Sequence, residues 1–125
     1  VDHADVIFFS CVHFPDPEPA VRRLLAGRPG RIVVGGRGAD GAVLGTTLGV
    51  VLAPPVDLEE PVVDTNGAGD ALATGFLVSH VLRGLPLQES LHRGQVAARW
   101  ACSRVADSAG LITAATLDRL AGSRR

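Results

Sequence analysis

Lysine is absent from this sequence of 125 residues, so all twelve basic side chains are arginines. A Walker A loop needs a lysine and so does the ATP site of a protein kinase, and both mechanisms are therefore excluded. The sequence contains only two cysteines, Cys11 and Cys102. Two cysteines form neither a disulfide scaffold nor a four-cysteine metal site, and we expect each to be a buried thiol in a reducing cytosol.

The sequence also lacks a strong charge of either sign and a long apolar run. Its net charge of −1 and isoelectric point of about 6.4 provide no basic field for nucleic acid or an anionic membrane. No apolar run approaches the roughly 18 residues that a membrane helix needs. We therefore expect neither a nucleic-acid nor a membrane partner, and a cytoplasmic location.

The apolar content is high for a complete soluble domain of this length. The hydrophobic fraction is 46%, the mean hydropathy is +0.26, and the sequence contains no methionine. The first apolar strand follows within a few residues of the start. We therefore expect residues 1–125 to be a piece of one longer domain.

Apolar segments separated by turn residues predict an α/β fold, with a mostly parallel sheet flanked by helices. The predicted strands are residues 6–10, 31–34, 43–44 and 48–52, the last two as a hairpin. The predicted helices are residues 20–26, 71–82 and 87–105. Because the first strand does not alternate between apolar and polar residues, we expect it to be buried on both faces at the centre of the sheet.

A glycine-rich turn follows the strand at residues 31–34, with the sequence Gly36-Arg37-Gly38-Ala39-Asp40-Gly41. It fits the dinucleotide pattern G-x-G-x-x-G, but that pattern requires a helix at its last glycine, and the residues that follow have strand character. Two interpretations remain. The glycines allow a nucleotide to approach the backbone closely, or they form a plain tight turn.

The most informative segment is Asp64-Thr65-Asn66-Gly67-Ala68-Gly69-Asp70, which precedes an apolar run with helical character. A helix that begins there directs unpaired N–H groups and the positive end of its dipole at the turn, which favours bound phosphate. Asp70 at such a site suits a general base that accepts the proton of an attacking hydroxyl. The alternative is a capped helix in which Asp64 or Asn66 is only the cap.

This heptapeptide in its setting resembles the signature of the ribokinase-like (PfkB) family of carbohydrate kinases. The similarity spans residues 6–120 and only the C-terminal, nucleotide-binding and catalytic part of a family member. It implies a partial ribokinase-like fold and an ATP-dependent, Mg²⁺-assisted transfer of phosphate to a hydroxyl of a small sugar or related metabolite. By this match Gly67, Ala68 and Gly69 form the anion hole for the transferred phosphoryl group, and Asp70 is the catalytic base.

The resemblance also assigns binding residues. The turn Gly36-Arg37-Gly38-Ala39-Asp40-Gly41 falls where the family places a nucleotide-binding Thr-x-Gly-x-x-Gly turn, with Gly36 in place of threonine. Gln95 falls where the family has an asparagine or histidine near adenine, although it also suits the solvent face of a helix. Asp64 and Asn66 fall where many relatives bind an activating monovalent cation such as K⁺, with further carbonyls from residues 102–110.

One departure leaves the function open. Ser10-Cys11-Val12-His13 stands where the family has an Asn-Glu motif used around Mg²⁺ and phosphate. The alternatives are a nucleoside or vitamin-precursor kinase, a nucleotide-binding paralogue with weakened catalysis, and a structural fragment. Since family members contact substrate mainly through their N-terminal part, we expect this piece alone to be inactive. The expected partner is a sugar or nucleoside, and a homodimer is left open.

Overall fold

A computed structural model of the chain describes residues 5–104 and 112–122, which form two compact units that meet in sequence between Pro55 and Val56. The first unit is a four-stranded sheet with one helix, and the second unit is helical. The predicted α/β class is therefore confirmed.

The sheet of the first unit has the strand order β1-β2-β3-β4 and mixed pairing. Its elements are β1 (Val6–Ser10), α1 (Glu18–Leu25), β2 (Ile32–Gly36), β3 (Ala42–Thr46) and β4 (Gly49–Ala53). Strands β1 and β2 pair in parallel, whereas β2 with β3 and β3 with β4 are antiparallel. The expected mostly parallel sheet is corrected to a mixed one, because the short links at 37–41 and 47–48 cannot form the long crossover that parallel strands require.

Helix α1 packs on the sheet through Val21, which is fully buried with Val33 and Val43. Helix α1 and strand β3 approach each other closely at Gly45, where an added Cβ would overlap the Val21 side chain. Strand β1 lies at an edge of the four-stranded sheet and is half-buried. The expectation of a central strand buried on both faces is wrong for the residues described, because β1 has a paired neighbour on one side only.

The second unit consists of α2 (Ala68–Leu77), a π-helical turn (Val78–Leu82), α3 (Leu87–Cys102) and α4 (Ala114–Gly122). The helices predicted at 71–82 and 87–105 are present. The first begins three residues earlier than predicted, at Ala68, and the second ends at Cys102. Residue 105 lies outside the described residues. Helix α4 was not predicted.

Helices α2 and α3 cross in close contact at two glycines. A Cβ at Gly94 would lie 2.8 Å from the carbonyl oxygen of Leu72, and a Cβ at Gly75 would lie 3.0 Å from Cα of Gly94. The core includes Ala71, Val96, Ala97, Leu117 and Ala121, so α4 completes it. Within the described residues, no helix combines the length and apolar character needed to cross a membrane.

Candidate active site

Residues 64–70, at the N-terminus of α2, have the features expected of an anion site, and we refer to them as the anion-binding turn. Gly67 occupies the N-cap position with a φ of 84°, a left-handed conformation that favours glycine. The Ala71 N–H donates to the Gly67 carbonyl at 3.0 Å, whereas the N–H groups of Gly67, Gly69 and Asp70 have no backbone partner among the described residues. These free donors and the helix dipole attract a negatively charged group.

Ala68 differs from its neighbours in this turn. Its N–H donates to the carbonyl of Thr65 at 3.3 Å, a long hydrogen bond that closes the turn before the helix. The four predicted site residues Gly67, Ala68, Gly69 and Asp70 all lie at the N-terminus of α2. The N–H of Ala68 is the least available of the four for a ligand.

Asp70 lies in the first turn of α2 and is exposed. Its carboxylate makes no hydrogen bond or ion pair with any residue that the structure describes. An accessible carboxylate on a regular helix, beside unpaired N–H groups, is suited to accept a proton from a group bound at those donors.

Asp64 shapes the turn rather than capping the helix. Its Oδ1 accepts the N–H of Asn66 at 2.9 Å, which forms a local side-chain turn. No side chain caps α2, so the interpretation of Asp64 or Asn66 as the cap is wrong. Part of the loop expected to supply further carbonyls to a cation, residues 105–110, lies outside the described residues. Among the residues that the structure describes, no group of three or more histidine, cysteine or acidic residues could hold a metal ion.

The C-terminal end of α3 holds the segment that leads into this turn. The carbonyl oxygen of Cys102 accepts the N–H groups of Val63 at 2.7 Å and Asp64 at 3.0 Å. Arg99 and Arg104 bond to residues 57–60 of the same segment. The side-chain contacts of both arginines were not predicted from the sequence, although Arg104 falls within the predicted cation loop, residues 102–110. Their only signal is the acidic character of Asp57, Glu59 and Glu60, which does not specify the pairing.

The glycine-rich turn lies in the first unit, between β2 and β3. A short 3₁₀ helix, Gly38–Asp40, fills it, and the Arg37 N–H donates to the Gly41 carbonyl at 2.9 Å. Gly41 has a φ of 109°, and an added Cβ there would overlap the carbonyl oxygen of Ala53. The turn therefore needs glycine for its own backbone. Strand β3 follows directly instead of a helix, which agrees with the exclusion of a dinucleotide-binding fold.

The Ser10-Cys11-Val12-His13 segment, which stands in place of the Asn-Glu motif, lies at the end of β1 and next to the glycine-rich turn. Both the N–H and the thiol of Cys11 donate to the Gly36 carbonyl, at 2.9 and 3.3 Å. Burial raises the pKa of the Cys11 thiol, and the positive charge of Arg37 opposes the shift. Cys102 is only half-buried, contrary to expectation, because it lies at the end of α3. His13 is exposed.

Gln95 is only 9% exposed, so the solvent-facing interpretation is wrong.

A cavity of about 500 Å³ lies in the helical unit, with Asp70 and Thr74 of α2, and Arg93 and Trp100 of α3, in its lining. Gln95 is not part of this lining. The guanidinium of Arg104 stacks over the Trp100 ring, 3.9 Å from its centroid.

Comparison with known proteins gives consistent matches. The sequence matches the pfkB family carbohydrate kinases over residues 9–114. It is similar to acarbose 7(IV)-phosphotransferase from an Actinoplanes species, with 41% identity over 120 residues that cover 94% of this chain and 40% of that protein.

Two solved structures show the same fold. The microbiome-derived acarbose kinase Mak1 matches with a TM-score of 0.81 and 27% identity, over 94% of this chain and 40% of that chain. A ribokinase II from E. coli in complex with ATP and Mg²⁺ matches with a TM-score of 0.78 and 21% identity, over 97% of this chain and 40% of that chain. The chain thus spans about 40% of the length of these proteins.

Proposed function

This chain belongs to the pfkB family of carbohydrate kinases, and we propose that the protein containing it transfers the γ-phosphate of ATP to a hydroxyl group of a sugar. One observation carries the proposal. The N-terminus of α2 presents three unpaired backbone N–H groups and an exposed carboxylate within residues 67–70. Phosphoryl transfer needs positioning and charge stabilisation more than covalent catalysis, so this arrangement suits it.

The proposed roles follow from the geometry of this turn. The N–H groups of Gly67 and Gly69, with a smaller contribution from Ala68, stabilise negative charge on the transferred phosphoryl group. Asp70 accepts the proton of the sugar hydroxyl as that oxygen attacks phosphorus. The proton passes to the carboxylate, the P–O bond to ADP breaks, and ADP leaves with the bonding electron pair.

ATP and Mg²⁺ are the proposed co-substrate and metal. In the glycine-rich turn, Gly38 has open space on the side where a Cβ would be, since only Val12 lies within 4 Å. This space fits a close approach by the nucleotide. The described residues contain no cluster of metal-ligating side chains, so Mg²⁺ would be held mainly by the ATP phosphates, as is usual for nucleotide-bound Mg²⁺. Asp64 and Asn66 are the proposed ligands of an activating K⁺.

Two relatives are described as acting on acarbose, and a sugar or sugar-like oligosaccharide is therefore the proposed substrate class. Because the chain spans about 40% of these relatives, we propose that the rest of the full-length protein supplies most substrate contacts. Residues 1–125 alone are then inactive.

A second candidate is a nucleotide-binding paralogue with weakened catalysis. It is favoured by Ser10-Cys11-Val12-His13, which places no carboxylate at the end of β1. Such a protein binds ATP but transfers no phosphate to an acceptor.

The test is ADP release by the full-length protein with ATP, Mg²⁺ and K⁺ across acarbose, simple sugars and adenosine. We expect release that depends on one sugar. Release with adenosine alone indicates a nucleoside kinase. A folded protein that binds ATP but shows no acceptor-dependent release contradicts the proposal and favours the paralogue.

A further inference from the structure

The segment that leads into the anion-binding turn has little hydrophobic support. Residues 54–65 form neither helix nor strand. Val62 and Val63, directly before Asp64, are 57% and 58% exposed. Val56, at the start of the segment, packs against the helical core. Since apolar packing fixes only that end, the position of residues 57–65 depends on polar contacts.

Arg99 of α3 provides several of these contacts, and Arg104 adds one to the Glu60 carboxylate. The Nη2 of Arg99 donates to the carbonyl oxygens of Leu58, at 3.3 Å, and Glu60, and its Nη1 donates to the Ser103 hydroxyl at 2.6 Å. The side chain is only 14% exposed. A guanidinium can serve these acceptors at once, because its donors point in fixed, divergent directions.

A second contact completes the attachment one helical turn later. The Cys102 carbonyl accepts the N–H groups of Val63 and Asp64. Arg99 and Cys102 therefore fix the segment on both sides of Pro61 and Val62. From Asp64, the local turn through Asn66 continues directly into Gly67.

We infer that Arg99 is a positioning residue for the anion-binding turn. By fixing residues 58–60 on α3, it sets where Asp64 begins the turn and thus where the N–H groups of residues 67–70 point. This inference rests on the proposed function. A small displacement of such donors lowers the rate of transfer strongly, because they must meet the charge that develops in the transition state.

The kinetic test uses Arg99→Gln and Arg99→Lys in the full-length protein. The matched control is Arg22→Gln, since among the described residues Arg22 pairs only with Glu18, four residues away in α1, and both side chains are exposed. For Arg99→Gln we expect kcat per folded molecule to fall by about tenfold or more, with KM values changed by less than about twofold. Arg99→Lys recovers part of the loss, and the control keeps the wild-type rate.

Two readouts separate positioning from a purely structural role. Affinity for ADP with aluminium fluoride, a mimic of the transferred phosphoryl group, should fall with kcat while affinity for ADP alone is unchanged. Amide hydrogen exchange should accelerate in residues 57–70 of Arg99→Gln and not in α1.

The outcomes distinguish the inference from the proposed function. If the wild-type protein transfers no phosphate, the proposed function fails, and hydrogen exchange still tests the attachment. If the wild type is active but Arg99→Gln has unchanged kcat and unchanged exchange, the inference is overturned. It is equally overturned if neither Arg99 variant folds, because Arg99 is then a general stability residue.

Discussion

At the scale of the residue, Gly67 determines the chemistry of the turn. Its φ of 84° lets the chain change direction within one residue and enter α2. Because the helix begins immediately afterwards, the N–H groups that follow Gly67 lack carbonyl partners within the helix. The same conformation that begins α2 therefore leaves N–H donors available to an anion.

Gly67→Ala should destabilise the protein by about 1–2 kcal/mol, because an L side chain is strained at this positive φ. No atom lies within 4 Å of the added Cβ, so the cost is conformational. Gly69→Ala is the matched control. Gly69 lies inside α2 with equal space, and alanine there should stabilise by up to about 1 kcal/mol. Urea unfolding measures both, and a loss of stability of equal size in the two variants would contradict this account.

At the scale of the element, two arginines of the helical unit share the carboxylate of Asp118 on α4. Arg83 donates to it at 2.9 Å, and Arg93 also bonds to it. Arg93 depends on this ion pair more than Arg83 does, because the Arg93 side chain is only 6% exposed and a buried charge needs a counter-ion. The ion pair therefore ties α4 to α3 and to the end of the π-helical turn.

The stability contribution of Asp118 should depend on pH. Hydrogen bonds from Arg83 and Arg93 hold the pKa of Asp118 below its ordinary value of 3.8. A lowered pKa in the folded state means that the contribution is fully present above the unfolded pKa and is lost as pH falls through the folded pKa. Wild type should therefore have a higher Tm than Asp118→Asn at pH 7, and the difference should shrink below pH 3.8.

Thermal unfolding followed by circular dichroism from pH 7 to about pH 2.5 tests this prediction. Glu59→Gln is the control, since Glu59 is exposed and should change Tm little at any pH. A Tm difference between wild type and Asp118→Asn that is equal at both ends of the range would contradict the assigned role.

The elements that the sequence predicted well are those with local signals. Apolar segments separated by turn glycines predicted β2, β3 and β4, an apolar run predicted α2, and the helical spacing of apolar residues predicted α3. The only local signal for helix α4 among the described residues is Thr113, a residue type that caps helices. Its hydroxyl accepts the Thr116 N–H at 3.2 Å. The stability of this helix comes from Leu117 and Ala121 in the core, which only tertiary packing reveals.

The candidate site likewise has one part that the sequence predicts and one part that only the structure reveals. Residues 64–70 are contiguous, so their sequence alone predicted the turn and a helix after it, although the helix begins three residues earlier than predicted. Arg99 contacts Leu58 and Glu60 from about forty positions away along the chain. No periodicity or local motif specifies which arginine pairs with which carbonyl, so this part of the site required the structure.

At the scale of the whole molecule, the family match covers most of this chain, while the chain covers about 40% of the compared proteins. The described part contains the anion-binding turn and the proposed base. Its own geometry does not select a sugar. We therefore propose that the full-length protein selects the substrate, whereas the proposed role of Asp70 depends on these residues.

The most direct test of that role is single-turnover phosphoryl transfer by the full-length protein and its Asp70→Asn variant, with ATP binding measured beside it. We predict that transfer falls by about a hundredfold or more, because asparagine cannot accept the hydroxyl proton. ATP binding should be retained or tightened, since a negative charge beside the phosphates is removed. Transfer at the wild-type rate by Asp70→Asn would contradict the central claim.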